Sequence, residues 1–390
     1  FLEVAGNLTV DLGTGASDAW ETLSGGASLT VRGDFHFRSA ATQTSFNAGG
    51  FAFAQPFPPS DDLELARFQV GGVLVIDALA SGDAGLLIAA AQIRIGTMEW
   101  HSLLPSTAAS IEMRGMQSLD ILRGLAIEAQ GSLMGLFTGE KIAVGKTLNV
   151  INGDGAASVV FRNTQSIRLP AVVLDYGDGD SNTEFSSNGK IALKSISLAA
   201  GDVGDSLTVR GFGRIPGNIN LDFGLGGASA NFGGSSVGPL SLAKALVVSA
   251  EARINASFSF VNLAKGVSIS ETNSHTVGSF VSFTSVVSRG PVHVSLISDD
   301  DYVSFDSRPV TFSRPSSFQK PVELSFVGNS LVVDIGATNG SIVTPPRNVL
   351  FKQRLDINGF SGHGTLTVST IDNVVFKKSV FFDGNEVVFA

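Results

Sequence analysis

The sequence predicts an all-β fold: an elongated multi-strand region, sandwich or solenoid, followed by a C-terminal β-sandwich-like domain. Short apolar/polar alternations broken by glycine run along nearly all 390 residues. A period of two puts one row of side chains into a core and the other outside it. Such segments also recur. Ser28-Leu29-Thr30-Val31-Arg32-Gly33 returns letter for letter at residues 206–211, and Asn348-Val349-Leu350-Phe351-Lys352 returns as Asn373-Val374-Val375-Phe376-Lys377. Finally, 28 Phe stand against 2 Tyr, a balance that suits dry, packed strands because Phe carries no hydroxyl to satisfy.

Residues 6–10 and 27–38 read as strands, with Leu29, Val31, Phe35 and Phe37 on one side and His36 among the phenylalanines. Residues 51–53 alternate until Pro56, Pro58 and Pro59 end the ladder, since proline has no amide hydrogen to donate. Residues 65–80 form an apolar run that Gly71-Gly72 bends or bulges. Helix competes at residues 110–131, where Met116, Leu119, Leu122 and Ile127 fit a helical stripe. Yet Ile111/Met113, Leu119/Ile121 and Leu125/Ile127 alternate there between Gly115, Gly124 and Gly131, and strands are the better reading.

Further strands are expected over 158–161, 167–174, 190–198, 205–215, 247–261 and 277–287. Residues 223–238, rich in Gly, Ser and Ala, mark a flexible loop or a place where backbones approach closely. Beyond Gly290-Pro291 prolines are denser and strands richer in Phe and Val. The chain therefore divides into a β-rich solenoid or sandwich region, 1–289, and a sandwich-like domain, 290–390. The Ser28 and Ser206 copies lie about 178 residues apart and suggest an internal duplication in the first region. The closing repeat has a period of 25 residues, one coil of a solenoid or one hairpin of a meander.

Composition excludes several function classes. A net charge of −9, with Lys377-Lys378 as the densest basic pair, argues against nucleic acid as a partner. No apolar stretch reaches the length of a transmembrane helix. The absence of Cys removes disulfides, thiolate metal sites and cysteine nucleophiles together. The sequence opens at Phe1 without a charged-then-apolar leader, as expected either of a processed chain or of a trimmed one.

Residues 175–184 are the strongest site candidate. Asp175, Asp178, Asp180, Asn182 and Glu184, on a stretch flexed by Gly177 and Gly179, offer the hard oxygen ligands that calcium prefers. Their spacing does not match an EF-hand loop, and a solvated acidic turn is the competing account. Asp299-Asp300-Asp301 with Asp306 reads as a solubilising turn, because consecutive strand residues face opposite sides and cannot converge on one ion. Gly234-Ser235-Ser236-Val237-Gly238 has the letters of a nucleophile elbow but lacks a strand before it and a helix after it. The five histidines (His36, His101, His275, His293 and His363) lack metal-ligand spacing. Asp61, Asp62 and Glu64 read as an acidic turn rather than as a glycosidase pair. Arg32-Gly33-Asp34 is expected inside a strand, and the sequons at Asn7, Asn255 and Asn339 are no more than this composition throws up.

With no catalytic constellation, the sequence points to a non-enzymatic structural protein. It is expected to associate with itself into an extracellular, cell-surface or virion-surface lattice, sheath, filament or capsid. The alternative is a secreted adhesin or carbohydrate-binding protein, for which Trp20, Trp100, Tyr176 and Tyr302 are the available stacking aromatics.

Overall fold

The computed structural model describes residues 1–15, 18–22, 26–49, 65–79, 82–235, 237–273, 277–297, 299–306, 316–327, 330–335, 349–359, 365–370, 374–383 and 386–389. Every regular element among them is a β-strand, including Ala108–Ile121 and Gly124–Ala129, where helix had competed. The strands pair in parallel with strands one coil away, and the fold is a parallel β-solenoid. It comprises two compact units, residues 1–194 and 195–390.

In the first unit three ladders run side by side. One sets Leu29, Phe68, Ile93, Leu119, Ile142 and Ile167 in successive register. A second aligns Leu8, Phe35, Leu74, Met98, Leu125, Leu148 and Val172. The third aligns Ala48, Ile88, Met113, Phe137 and Phe161. Some strands turn a corner without ending. Leu65–Ala78 pairs with Ser28–Val31 through its first part and with Phe35–Ser39 through its last, and Gly71-Gly72 supplies the expected bulge between Val70 and Val73. A Cβ on Gly71 would lie 2.2 Å from the backbone oxygen of Arg32, so the corner needs glycine there.

The second unit repeats this plan. Ile219, Leu246, Val267, Val292, Val322, Leu355 and Val380 form one continuous register. The texture change at Gly290-Pro291 does not interrupt it. Residues beyond 290, expected to be sandwich-like, are further parallel coils; alternation looks the same in both architectures because each buries one face of every strand. The 25-residue repeat is one coil, since Val349, Leu350 and Phe351 pair with Val374, Val375 and Phe376. Within residues 223–238 the strand Ala228–Gly233 buries Ala228, Ala230 and Phe232, and a Cβ on Gly226 would lie 2.1 Å from the backbone of Val203, so backbones approach closely here.

Parallel register stacks like on like, which accounts for the phenylalanines. Phe137, Phe161 and Phe185 stack with ring centroids 4.5 and 5.5 Å apart. Phe232, Phe258, Phe283 and Phe305 form a second column at 5.9, 5.1 and 5.3 Å, and Phe318, Phe351 and Phe376 a third at 5.1 and 5.2 Å. Each offset stack contributes about 0.5–1.5 kcal/mol beyond the area it buries. Outside, polar side chains climb the coils in the same manner. Gln92 bonds Gln117, 25 residues on, and Glu140 bonds Gln165 at the same separation.

Replacing Phe258, which sits between two stacked neighbours, with Ala should cost about 3–5 kcal/mol in urea unfolding. Replacing Met134, 56% exposed, with Ala should stay within about 0.5 kcal/mol.

Candidate functional site

The acidic segment 175–184 is a corner of the first unit. It joins the strand Ala157–Tyr176 to the strand Ser181–Ala199. Its backbone lies on the corner one coil earlier: Gly177 N donates to Asn152 O at 2.9 Å, and Ala157 N donates to Asp180 O at 2.8 Å. A Cβ would lie 2.7 Å from Gly153 O at Gly177 and 2.4 Å from Gly155 O at Gly179. The glycines that suggested a pliable ion-binding loop are thus required by stacking, Gly-Asp-Gly upon Gly-Asp-Gly. Inside the corner the buried Tyr176 hydroxyl pairs with Thr183 Oγ1 at 2.7 Å.

The five candidate ligands all lie on the outside of this corner. Asp175, Asp178, Asp180 and Asn182 are exposed. Glu184 accepts a hydrogen bond from Arg162 Nη2 at 2.9 Å, on the adjacent strand. Among the described residues no three His, Asp or Glu side chains converge into a metal-holding group.

A different acidic corner, in the second unit, is built quite otherwise. Asp301 opens the strand Asp301–Asp306 and is completely buried, and Glu271, the last residue of Val267–Glu271, is 2% exposed. Ser279 joins them. Its amide donates to Asp301 Oδ1 at 2.8 Å and its hydroxyl to Glu271 Oε1 at 3.1 Å, while the same hydroxyl accepts from Ile254 N at 2.9 Å. Ile297 N donates to Glu271 Oε2 at 2.8 Å. Asp301 Oδ2 is buried with no hydrogen-bond partner. Loss of water pushes the Asp301 carboxyl up to about 7 against the Ser279 amide bond, and the charges of Glu271, Asp299 and Asp300 push the same way as burial.

The expected solubilising turn therefore hides Asp301, and Asp306 is buried as well. The signal was present: Asp301 is in phase with Val303 and Phe305, and Glu271 with Val267 and Ile269, all buried. Beside this corner Phe280 and Tyr302 stack with centroids 5.1 Å apart and ring planes nearly parallel, and the Tyr302 hydroxyl donates to Asp334. Burial, and next the bond to Asp334, push that phenol upward.

The remaining motifs have structural places. Arg32-Gly33-Asp34 lies at the corner between Ser28–Val31 and Phe35–Ser39, not inside a strand. There Arg32 pairs with Glu3, Asp34 Oδ1 accepts from Val73 N at 2.8 Å, and the sequon residue Asn7 accepts from Asp34 N at 2.9 Å. Asn255 lies in the strand Ile254–Ser259. The elbow letters do follow a strand, Ala228–Gly233, but Ser235 and Gly238 close a tight turn and the strand Leu240–Leu242 follows where an elbow needs a helix. His36 is exposed, whereas His101 pairs with Asp77 at 2.8 Å and His293 with Glu323 at 2.9 Å. Ser236, His275, Asn339, His363, Asp61, Asp62, Glu64 and residues 51–53 lie outside the described residues.

No family model matches this chain, and no curated protein or solved structure matches it either.

If stacking fixes the acidic corner, Gly179→Ala should lower stability by about 1–3 kcal/mol through the forced backbone shift. Asp178→Asn should change the urea midpoint little in metal-free buffer, a substitution worth about 0.5 kcal/mol or less.

Proposed function

We propose that this chain is a non-enzymatic structural protein that associates with itself, coil edge against coil edge, into an extended assembly. A lattice, sheath, filament or capsid at an extracellular, cell or particle surface is the setting that fits. The observation that supports this reading is the parallel register itself: Ile219, Leu246, Val267, Val292 and Val322 lie coil upon coil with like residues aligned, and a register of that kind can be continued by a like coil of another copy through strand addition.

The adhesin alternative has less support. Trp100 and Tyr176 are buried, and Tyr302 turns a ring face to Phe280 rather than to a sugar. The net charge of −9 continues to disfavour nucleic acid. Calcium would enter this reading as an ion at the 175–184 corner, tying neighbouring subunits or coils through carboxylates that the fold leaves outward.

Negative-stain images of the purified protein should show regular fibres or sheets, and deletion of residues 373–390 should abolish them while the β signal in circular dichroism persists. Normal assembly by the truncated chain, or monodisperse particles of the intact one, would refute edge-to-edge association. If calcium takes part, a chelator should lower the melting temperature or dissolve assemblies, since an ion bound only by the native state stabilises it. Asp178→Asn with Asp180→Asn should remove that sensitivity, and indifference of the unmodified protein to chelator would leave an acidic turn alone.

A further inference from the structure

We propose that the buried Glu271–Ser279–Asp301 corner is a proton-operated clasp, which holds adjoining coils together when Asp301 carries a proton and slackens when it loses it. This does not rest on the assembly reading.

The geometry comes first. Ser279 is 1% exposed and sits between two buried carboxylates, spending its amide on Asp301 and its hydroxyl on Glu271. Ile254 N reaches the Ser279 hydroxyl from one coil, and Ile297 N reaches Glu271 Oε2 from another. One serine and two acids thus tie three successive passes of the chain. Two carboxylates buried so close together are hard to keep ionised at once, because each loses hydration and repels the other.

Asp301 is the member left short. Glu271 accepts at both oxygens, whereas Asp301 accepts at Oδ1 alone and its Oδ2 has no partner. A proton on Oδ2 removes the charge without breaking the Ser279 bond. The neighbours offer no relief: Asp301 is in register with Leu331 on the adjoining strand, and the charges that act on it are Glu271, Asp299 and Asp300, all acids. Loss of water and these charges raise its carboxyl from 3.8 to about 7.

The direction of the effect follows. Between those two values the folded chain keeps a proton that the unfolded chain has released, so folding weakens as pH rises. The contribution is complete below 3.8 and is lost as pH passes about 7. Inside this window the folded-to-unfolded ratio should fall about tenfold per pH unit from this group alone. Acid denaturation through ordinary paired carboxylates runs the opposite way, so the clasp has a distinguishable sign.

The test compares the unmodified protein with Asp301→Asn by urea unfolding from pH 5 to pH 8, with chelator present throughout so that no cation stands in for the proton. Asparagine keeps an acceptor for Ser279 and cannot ionise. The variant should gain stability over the unmodified protein as pH rises and plateau above pH 7; a difference that stays constant with pH overturns the proposal. Glu271→Gln should move the Asp301 transition to lower pH by removing a neighbouring charge, and an unmoved transition also counts against it. Should Asp301→Asn fail to fold, the unmodified protein still decides. Its infrared spectrum should show a protonated carboxyl band at pH 6 that is gone by pH 8.5. Exchange of the Ser279 and Ile297 amides, corrected for intrinsic rate, should quicken over the same interval. Absence of the band and unchanged exchange would rule the clasp out.

Discussion

Exact-height stacking of each coil on the one before constrains nearly everything else in this protein. Parallel hydrogen bonds from strand to strand set the repeat, and a residue then meets its counterpart one coil away rather than a complementary partner across a sheet. Inward positions become columns, of which Phe232, Phe258, Phe283 and Phe305 are the fullest example. Outward positions become rows in which like charges would repel, and in one of them acids are interleaved with other side chains: Asp11, Arg38, Asp77, His101 and Glu128 stand in register. At corners the same stacking brings backbone against backbone. Gly177 and Gly179 are fixed by what lies next to them, not by a need for pliancy.

Much of the fold was legible in the sequence, for a physical reason. A solenoid strand shows period two whichever way it pairs, so the strands across residues 110–131 could be read despite the helical stripe that Met116 and Leu122 lend it. Both residues lie on the outside, 48% and 46% exposed. The closing repeat was readable because two neighbouring strands of that coil keep one offset: Val349 and Leu355 both meet their partners, Val374 and Val380, 25 residues on. Elsewhere the separation of stacked partners varies from 21 residues for Leu246 and Val267 to 40 for Phe46 and Leu86, which blurs any fixed period. The sense of pairing was not readable, since alternation is indifferent to it, and so residues beyond 290 looked like a sandwich.

The acidic groups teach the complementary lesson. Density of carboxylates drew attention to residues 175–184, where side chains simply face outward from a stacked corner. Position in the strand mattered more than density: Asp301 opens the strand Asp301–Asp306 and continues the inward row of Val303 and Phe305, whereas Asp299 and Asp300 lie in the turn before it. An acid in phase with buried apolar residues has to be paired, shared or protonated. The Arg32-Gly33-Asp34 corner shows the same economy, for its aspartate is engaged in holding the coils on either side.

The uneven separations between stacked partners carry a consequence for how such a chain forms. Each coil needs only its predecessor as a template, and partners lie a few tens of residues apart however long the array grows. The entropy lost in closing a coil rises only slowly with its length, so the 39-residue step from Asp34 to Val73 demands little more than a shorter one. Structure can then advance from one end as the chain is synthesised, each finished coil presenting the rail on which the next is laid. Length is set by how many coils are encoded rather than by how large a core can be enclosed.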